Sequence, residues 1–222
     1  MINWAIKKEI ELFFKDIKNK QILDFGCGDA RYKKYIDNSN NYKGLDVAES
    51  GHSPLDKNYD VLWDKKKLPF ENDVFDIVLM TEVLEHVENV DITLREINRV
   101  LKIGGSILVT VPFIWPEHQK PYDFQRYTSF GIKKVFDYYG FETIYYKKLV
   151  QKKYALLEII ISDIETQFKD YNKKNMNHFF LRLYFKILKL FIKIIFKFFI
   201  HKNMFKDIYI GNCLIVKKKL TL

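Results

Sequence analysis

Two cysteines, five prolines and nine glycines among 222 residues are too few for several whole classes of protein. Two cysteines cannot staple a disulfide scaffold, so a reducing compartment is expected. Glycine and proline are too scarce for a collagenous or low-complexity chain. The hydrophobic fraction of 48% excludes wholesale disorder. The opening MINWAIKKEIELFFKDIKNKQ mixes charged and apolar residues too finely for a signal peptide, so export is not expected. There is no internal repeat. The length fits one large domain, or one domain with an appendage.

Acidic residues are lacking in the last third of the chain. Residues 1–146 carry 20 basic and 23 acidic side chains, whereas residues 147–222 carry 17 basic and only 5 acidic ones. The overall charge of +9 is therefore confined to the C-terminal part. That asymmetry points to a local partner surface there rather than to a generally basic protein.

Before residue 147, short β-type runs alternate with helical patterns. QILDFG (21–26), NYKGLDV (41–47), YDVLW (59–63), FDIVLMT (75–81) and SILVTVPF (106–113) read as strands. Around 89–102, Val90, Leu94, Ile97 and Leu101 fall on one helical face. A helix over about 3–18 is expected to bury Trp4, Ile10, Phe13, Phe14 and Ile17. SFGIKKVFDYYG predicts another helix, with Ser129 as N-cap and Gly140 as its stop. FETIYYKKL (141–149) and DIYIGNCLIVKKK (207–219) complete seven strands. The expected fold class is α/β: a Rossmann-like, mostly parallel seven-stranded sheet with helices on both faces. About 57 residues separate the last two strands as a helical insertion. The expected division is 1–150 with 206–222 as the main domain, and 151–205 as the insertion.

ILDFGCGDARY (22–32) places a strand, then Gly26 and Gly28, then an expected helix start whose N–H groups would face a polar ligand. A dinucleotide fingerprint needs a third glycine where this chain has Arg31, so dinucleotides are disfavoured. GLDV puts Asp46 at the end of the second strand, where a carboxylate can accept hydrogen bonds from a ribose diol; the plainer alternative is a loop cap.

Together with LPFENDVFDIVLMTEVLEHV (68–87) and LREINRVLKIGGSILVTVPF (94–113), these features resemble the class I S-adenosylmethionine-dependent methyltransferases. The likeness is to the small-molecule type in which Leu-Pro-Phe precedes the fourth strand. It runs from about residue 20 to 149 and resumes in the last strand. The resemblance implies S-adenosylmethionine as cofactor. It implies Asp24 beneath the glycine loop near the methionine amino group, with Gly26 and Gly28 along the methionine and ribose. Ala30 stands where a third glycine is usual. Asp46 would take the ribose hydroxyls, Val47 the adenine face, and Asp64 the adenine amino group. Lys65 would supply a backbone N–H, while Thr81 and Glu82 would close the pocket.

A sulfonium methyl is already activated, so holding the acceptor in line is the main catalytic requirement, and no triad is needed. On a helix, Glu82, Glu85 and His86 would share one face. They could bind a divalent metal, or His86 or His118 could act as a general base, or Glu85 and His86 could simply cap the loop. His86 and His118 are the candidate catalytic residues, and no metal is expected. In PFIWPEHQKPYDFQRYT, Trp115, Tyr122, Phe124 and Tyr127 could wall the acceptor, with Arg126 either reaching an anionic group or bracing a packed lid. The acceptor is expected to be a small molecule, a glycan or a lipid-linked saccharide.

Residues 179–200, FFLRLYFKILKLFIKIIFKFFI, carry their charges only at Arg182, Lys186, Lys189, Lys193 and Lys197. These fall within an arc of roughly 80°, leaving an apolar arc of about 280° where packing on a sheet needs little more than 100°. A helix of about 33 Å could span a bilayer, but would place lysines at the midplane. Lying in an anionic membrane surface keeps the cations among headgroups, so a cytoplasmic, peripheral location on the inner face is expected. Dimer packing is the alternative. Interleaving with Ile, Leu and Phe makes nucleic acid an unlikely partner, although an RNA methyltransferase and a non-catalytic, membrane-docked binding subunit remain the rival functions. The oligomeric state is open.

Overall fold

The computed structural model describes residues 1–51, 57–174, 178–201 and 204–220, without the side chains of 167–182. Its strands are β1 (Gln21–Phe25), β2 (Asn41–Val47), β3 (Val61–Trp63), β4 (Phe75–Thr81), β5 (Leu101–Pro112), β6 (Phe141–Gln151) and β7 (Tyr209–Lys218). They form one sheet in the order β3-β2-β1-β4-β5-β7-β6. The strands from β3 to β5 pair in parallel, and β7 runs antiparallel to both neighbours. The central strands are covered on both faces, which is why FDIVLMT reads as a continuous apolar run.

Helices α1 (Ile2–Phe14), α2 (Val90–Val100) and α3 (Ser129–Tyr138) cover the two faces. Ile6, Ile10 and Phe14 of α1 pack with Ile22, Ile77, Leu79 and Leu108. Leu94 and Ile97 of α2, with Ile132 and Phe136 of α3, pack against Leu23, Val78 and Val109 in the other layer. Asn89 caps α2 by accepting from the Ile92 amide at 3.0 Å. Thr128, one residue earlier than expected, caps α3 by accepting from Gly131. The Ser129 amide instead donates to the Tyr209 hydroxyl.

Three expectations need correction. First, Trp4 is 66% exposed, with Lys8 over its ring. The buried stripe of α1 is Ile6, Ile10 and Phe14, and at 100° per residue Trp4 lies well outside it. Second, no α-helix follows the glycine loop; a 3-10 turn at Lys33–Tyr35 stands there. The glycine loop and the turn before Asn41 leave too few residues for a helix, and α1 fills that face instead. Third, β5 begins at Leu101, directly after α2, with a register shift between Phe75/Leu101 and Ile77/Ser106. The strand therefore starts five residues before the expected 106, and Gly104, at φ 74°, sits in its irregular first part.

Between β6 and β7 the chain forms α4 (Lys153–Lys174) and α5 (His178–Phe198), which pack on each other. The buried Lys153 ammonium donates to the carbonyls of Phe196 and Ile200 at 2.7 and 2.9 Å, satisfying the C-terminal end of α5. Lys189 pairs with Glu165 of α4 at 3.0 Å. Phe196 is buried, whereas Tyr184, Ile187, Leu190, Phe191 and Phe198 are each at least 57% exposed. Arg182 falls among the side chains outside the description. No helix among the described residues is long and apolar enough to cross a membrane.

Candidate active site

The site lies at the carboxyl edge of the sheet, where β1 has β2 on one side and β4 on the other. In open α/β sheets, ligands bind at such a switch point. Gly26 leaves β1 at φ 74°, and a Cβ there would lie 2.6 Å from a Val83 methyl, so only glycine fits. The loop hangs from β2. Gly26 and Cys27 amides donate to the Leu45 carbonyl at 2.8 and 3.0 Å, and the Gly28 amide donates to Asp46 Oδ2 at 2.8 Å. Ala30 occupies the left-handed region at φ 55° without being glycine.

Asp46 therefore has a structural duty beside any ligand contact. Its Oδ1 accepts from the Val47 amide at 2.7 Å and from Lys57 Nζ at 3.1 Å. Lys57 is buried and neutralises the carboxylate, a role the sequence did not reveal because Lys57 lies in no motif. At the end of β3, Asp64 accepts from the Lys66 amide, and Lys65 follows at φ 65°. At the end of β4, Glu82 turns at φ 53° and its amide donates to the Thr110 carbonyl. Burial pushes the Glu82 carboxyl up to about 7.

These residues line a pocket of about 700 Å³, a size that suits a small molecule or cofactor. It brings together Gly26, Gly28, Asp46, Val47, Asp64, Lys65, Thr81, Glu82, His86 and His118. Asp24 does not line it. Its carboxylate lies buried beneath the loop and accepts from the Tyr42 hydroxyl at 2.6 Å. Burial raises its pKa from 3.8 to about 7.

The far end differs from the expected helix. Leu84–His86 is a 3-10 turn, so Glu82 and Glu85 do not share a helical face. His118 arrives instead beside Glu85 and His86, their rings meeting edge to face at 4.8 Å. Trp115, Tyr122 and Phe124 line this end. Tyr127 belongs to the core. Arg126 braces the loop: its guanidinium takes both oxygens of Asp123, at 2.5 and 2.7 Å, and reaches the Gln125 carbonyl. Burial works against the Asp123 carboxylate, but Arg126 and the His118 amide hold it down at about 2.

Residues 23–109 match the methyltransferase domain family. An uncharacterised protein of Methanocaldococcus jannaschii is 35% identical over 118 residues, covering 50% of this chain and 52% of that one. A phthiotriol/phenolphthiotriol dimycocerosates methyltransferase of Mycobacterium ulcerans is 29% identical over 43% of this chain and 38% of its own. The chain thus spans about half, or less, of these curated relatives. Among solved structures, phosphoethanolamine N-methyltransferase 2 of Haemonchus contortus, in complex with S-adenosylhomocysteine, is 18% identical. It superposes with a TM-score of 0.59 over 98% of this chain and 53% of that one. A [4+2]-cyclase reaches 0.61 at 15% identity over 97% and 80%, so the likeness speaks for the fold alone. With the family match over residues 23–109, the glycine loop and the sheet order together, this chain is similar to the class I S-adenosylmethionine-dependent methyltransferases.

Proposed function

We propose that the protein transfers a methyl group from S-adenosylmethionine to a small-molecule, glycan or lipid-linked acceptor at a membrane surface. The observation that carries this reading is the single pocket joining the glycine loop, Asp46 and Asp64 at one end to His86, His118 and three aromatic side chains at the other. The first end suits a nucleoside with an amino-acid tail. The second suits an acceptor held in line with the sulfonium, and its two histidines are the groups placed to handle a hydroxyl acceptor's proton. Orientation alone supplies effective molarities of about 10⁵–10⁸ M, so no further covalent machinery is required.

The membrane part of the reading rests on α5, whose apolar side chains remain exposed after it has packed on α4. Lys186, Lys193 and Lys197 are exposed beside them. An interfacial helix on the inner face of a membrane uses both features at once. The dimycocerosates methyltransferase of Mycobacterium ulcerans, to which this chain is similar, supports an acceptor of that kind.

Calorimetric titration with S-adenosylmethionine tests the cofactor half. Asp46→Ala should weaken it by roughly 1–3 kcal/mol, from lost charge-assisted hydrogen bonds and a loosened glycine loop. Labelled S-adenosylmethionine incubated with separated lipid, glycan and RNA fractions tests the acceptor half. No binding below the millimolar range would end the methyltransferase reading, and label confined to RNA would end the acceptor reading.

A further inference from the structure

Glu85, at the acceptor end, has no role in the methyl transfer described so far. Its side chain is completely buried, and neither carboxylate oxygen has a hydrogen-bond partner among the described residues. The nearby Arg126 guanidinium is committed to Asp123. A buried carboxylate without donors is costly, and proteins keep one where it is paired or coordinates a metal.

Two imidazoles converge on this carboxylate. His86 Nε2 lies 3.7 Å and His118 Nε2 lies 3.9 Å from Glu85 Oε1. One ligand atom from each of the three residues falls within 4.8 Å of the others. The opposite ring nitrogen fixes the tautomer of His86. His86 Nδ1 is 2.7 Å from the Tyr122 carbonyl, which can only accept, so Nδ1 carries the proton and the lone pair is on Nε2. His118 Nδ1 lies 3.2 Å from an Asp123 carboxylate oxygen, within reach of charge attraction but not aligned as a hydrogen bond. Carbonyl and carboxylate partners behind ligating histidines are the usual outer support of a metal site. Ligands at about 2.0–2.1 Å from a tetrahedral ion stand about 3.3 Å apart, so each imidazole must close on the carboxylate by about half an ångström, and the widest ligand pair, now within 4.8 Å, by up to about 1.5 Å.

We infer that Glu85, His86 and His118 form a binding site for a divalent first-row transition ion, open toward the acceptor end of the pocket. Two nitrogens and one carboxylate suit zinc, manganese or iron(II), and are too few oxygens for calcium or magnesium. His86 and His118 line the pocket, so the remaining coordination positions face the acceptor. A hydroxyl oxygen bound there loses its proton to water more readily, because the cation stabilises the alkoxide. Its lone pair then forms the O–CH₃ bond while the S–CH₃ bond breaks and its electron pair returns to sulfur. This role in catalysis rests on the proposed methyl transfer; the binding of the ion does not.

The full-length protein, stripped with a chelator, is titrated with zinc and separately with manganese by calorimetry, with the thermal midpoint followed in parallel. One equivalent is expected to bind and raise the midpoint. Glu85→Gln and His118→Ala should each abolish that stoichiometric binding, and Asp123→Asn should weaken it by about 10–100-fold. Stripped Glu85→Gln should melt at or above stripped wild type, because a neutral amide replaces an unsupported carboxylate. The absence of stoichiometric binding by wild type, or its retention in Glu85→Gln, overturns the site. S-adenosylmethionine titrated into the same samples separates the two proposals: cofactor binding without metal binding removes only the ion.

Discussion

α2 and α5 are both amphipathic helices in one chain, yet they end up in opposite situations. α2 places Leu94, Ile97 and Val100 in the core, and its polar side chains, such as Arg95 and Asp91, pair on the outside. The width of its apolar stripe matches the sheet it covers. α5 has apolar residues almost all round, and α4 can hide only a fraction of them. The sheet region is thus matched to its own core, whereas α5 leaves much of its apolar surface uncovered among the described residues.

The contrast is most exposed to failure in the core. Ile97→Ala removes a fully buried side chain between α2 and the sheet. It should cost about 2–5 kcal/mol, a lost transfer energy plus a cavity. Denaturant unfolding of wild type and variant measures it. A loss below about 1 kcal/mol would mean that the α2 layer is far looser than its burial indicates.

Charge in the sheet region offers the next test. Asp24 is buried, and its pKa is raised from 3.8 to about 7 chiefly by burial, with the Tyr42 hydrogen bond opposing. The folded state holds the proton more tightly than the unfolded chain does. The stability this contributes is present below about pH 4 and is lost as pH rises through about 7, a swing of a few kcal/mol. Asp24→Asn, which can still accept from Tyr42, should lose less stability than wild type between pH 4 and 7.5. Thermal melts across that range decide the point, and parallel profiles would show that the carboxyl titrates as an exposed one.

How much of this was legible beforehand follows from the reach of each interaction. The central strands are legible because strands covered on both faces are runs of Ile, Val, Leu and Phe, and the exposed edge strand β6 is legible from its Thr, Ile and Tyr content. Gly26 and Asp46 were readable because a tight turn and a strand end leave a local pattern. What failed depended on tertiary competition. The helix expected after Gly28 had no room, and Trp4 looked buried only because apolar character was read without its helical angle. Glu82, Glu85 and His86 share a face only on an α-helix, and a 3-10 turn forms there instead. Lys57 against Asp46 and Asp123 against His118 had no sequence signal, since each pair meets only after the chain has folded.

The smallest effect on stability belongs to α5, and there it carries the most meaning. Leu190 and Phe191 are 58% and 59% exposed, so Leu190→Gln with Phe191→Gln removes little buried surface. The pair should shift stability by no more than about 0.5 kcal/mol per site. If the helix lies in an anionic membrane surface, the same two changes delete apolar area that would otherwise enter the acyl region, at roughly 25 cal/mol per Å². Flotation with anionic vesicles should therefore fall sharply for the variant, and for wild type in high salt, while neutral vesicles recruit little of either. A variant that floats as wild type does would show that α5 is not the docking element. A variant that loses several kcal/mol would show that the exposed face is covered in solution, by a second copy of the chain, and sedimentation of wild type would then report a dimer that the variant lacks.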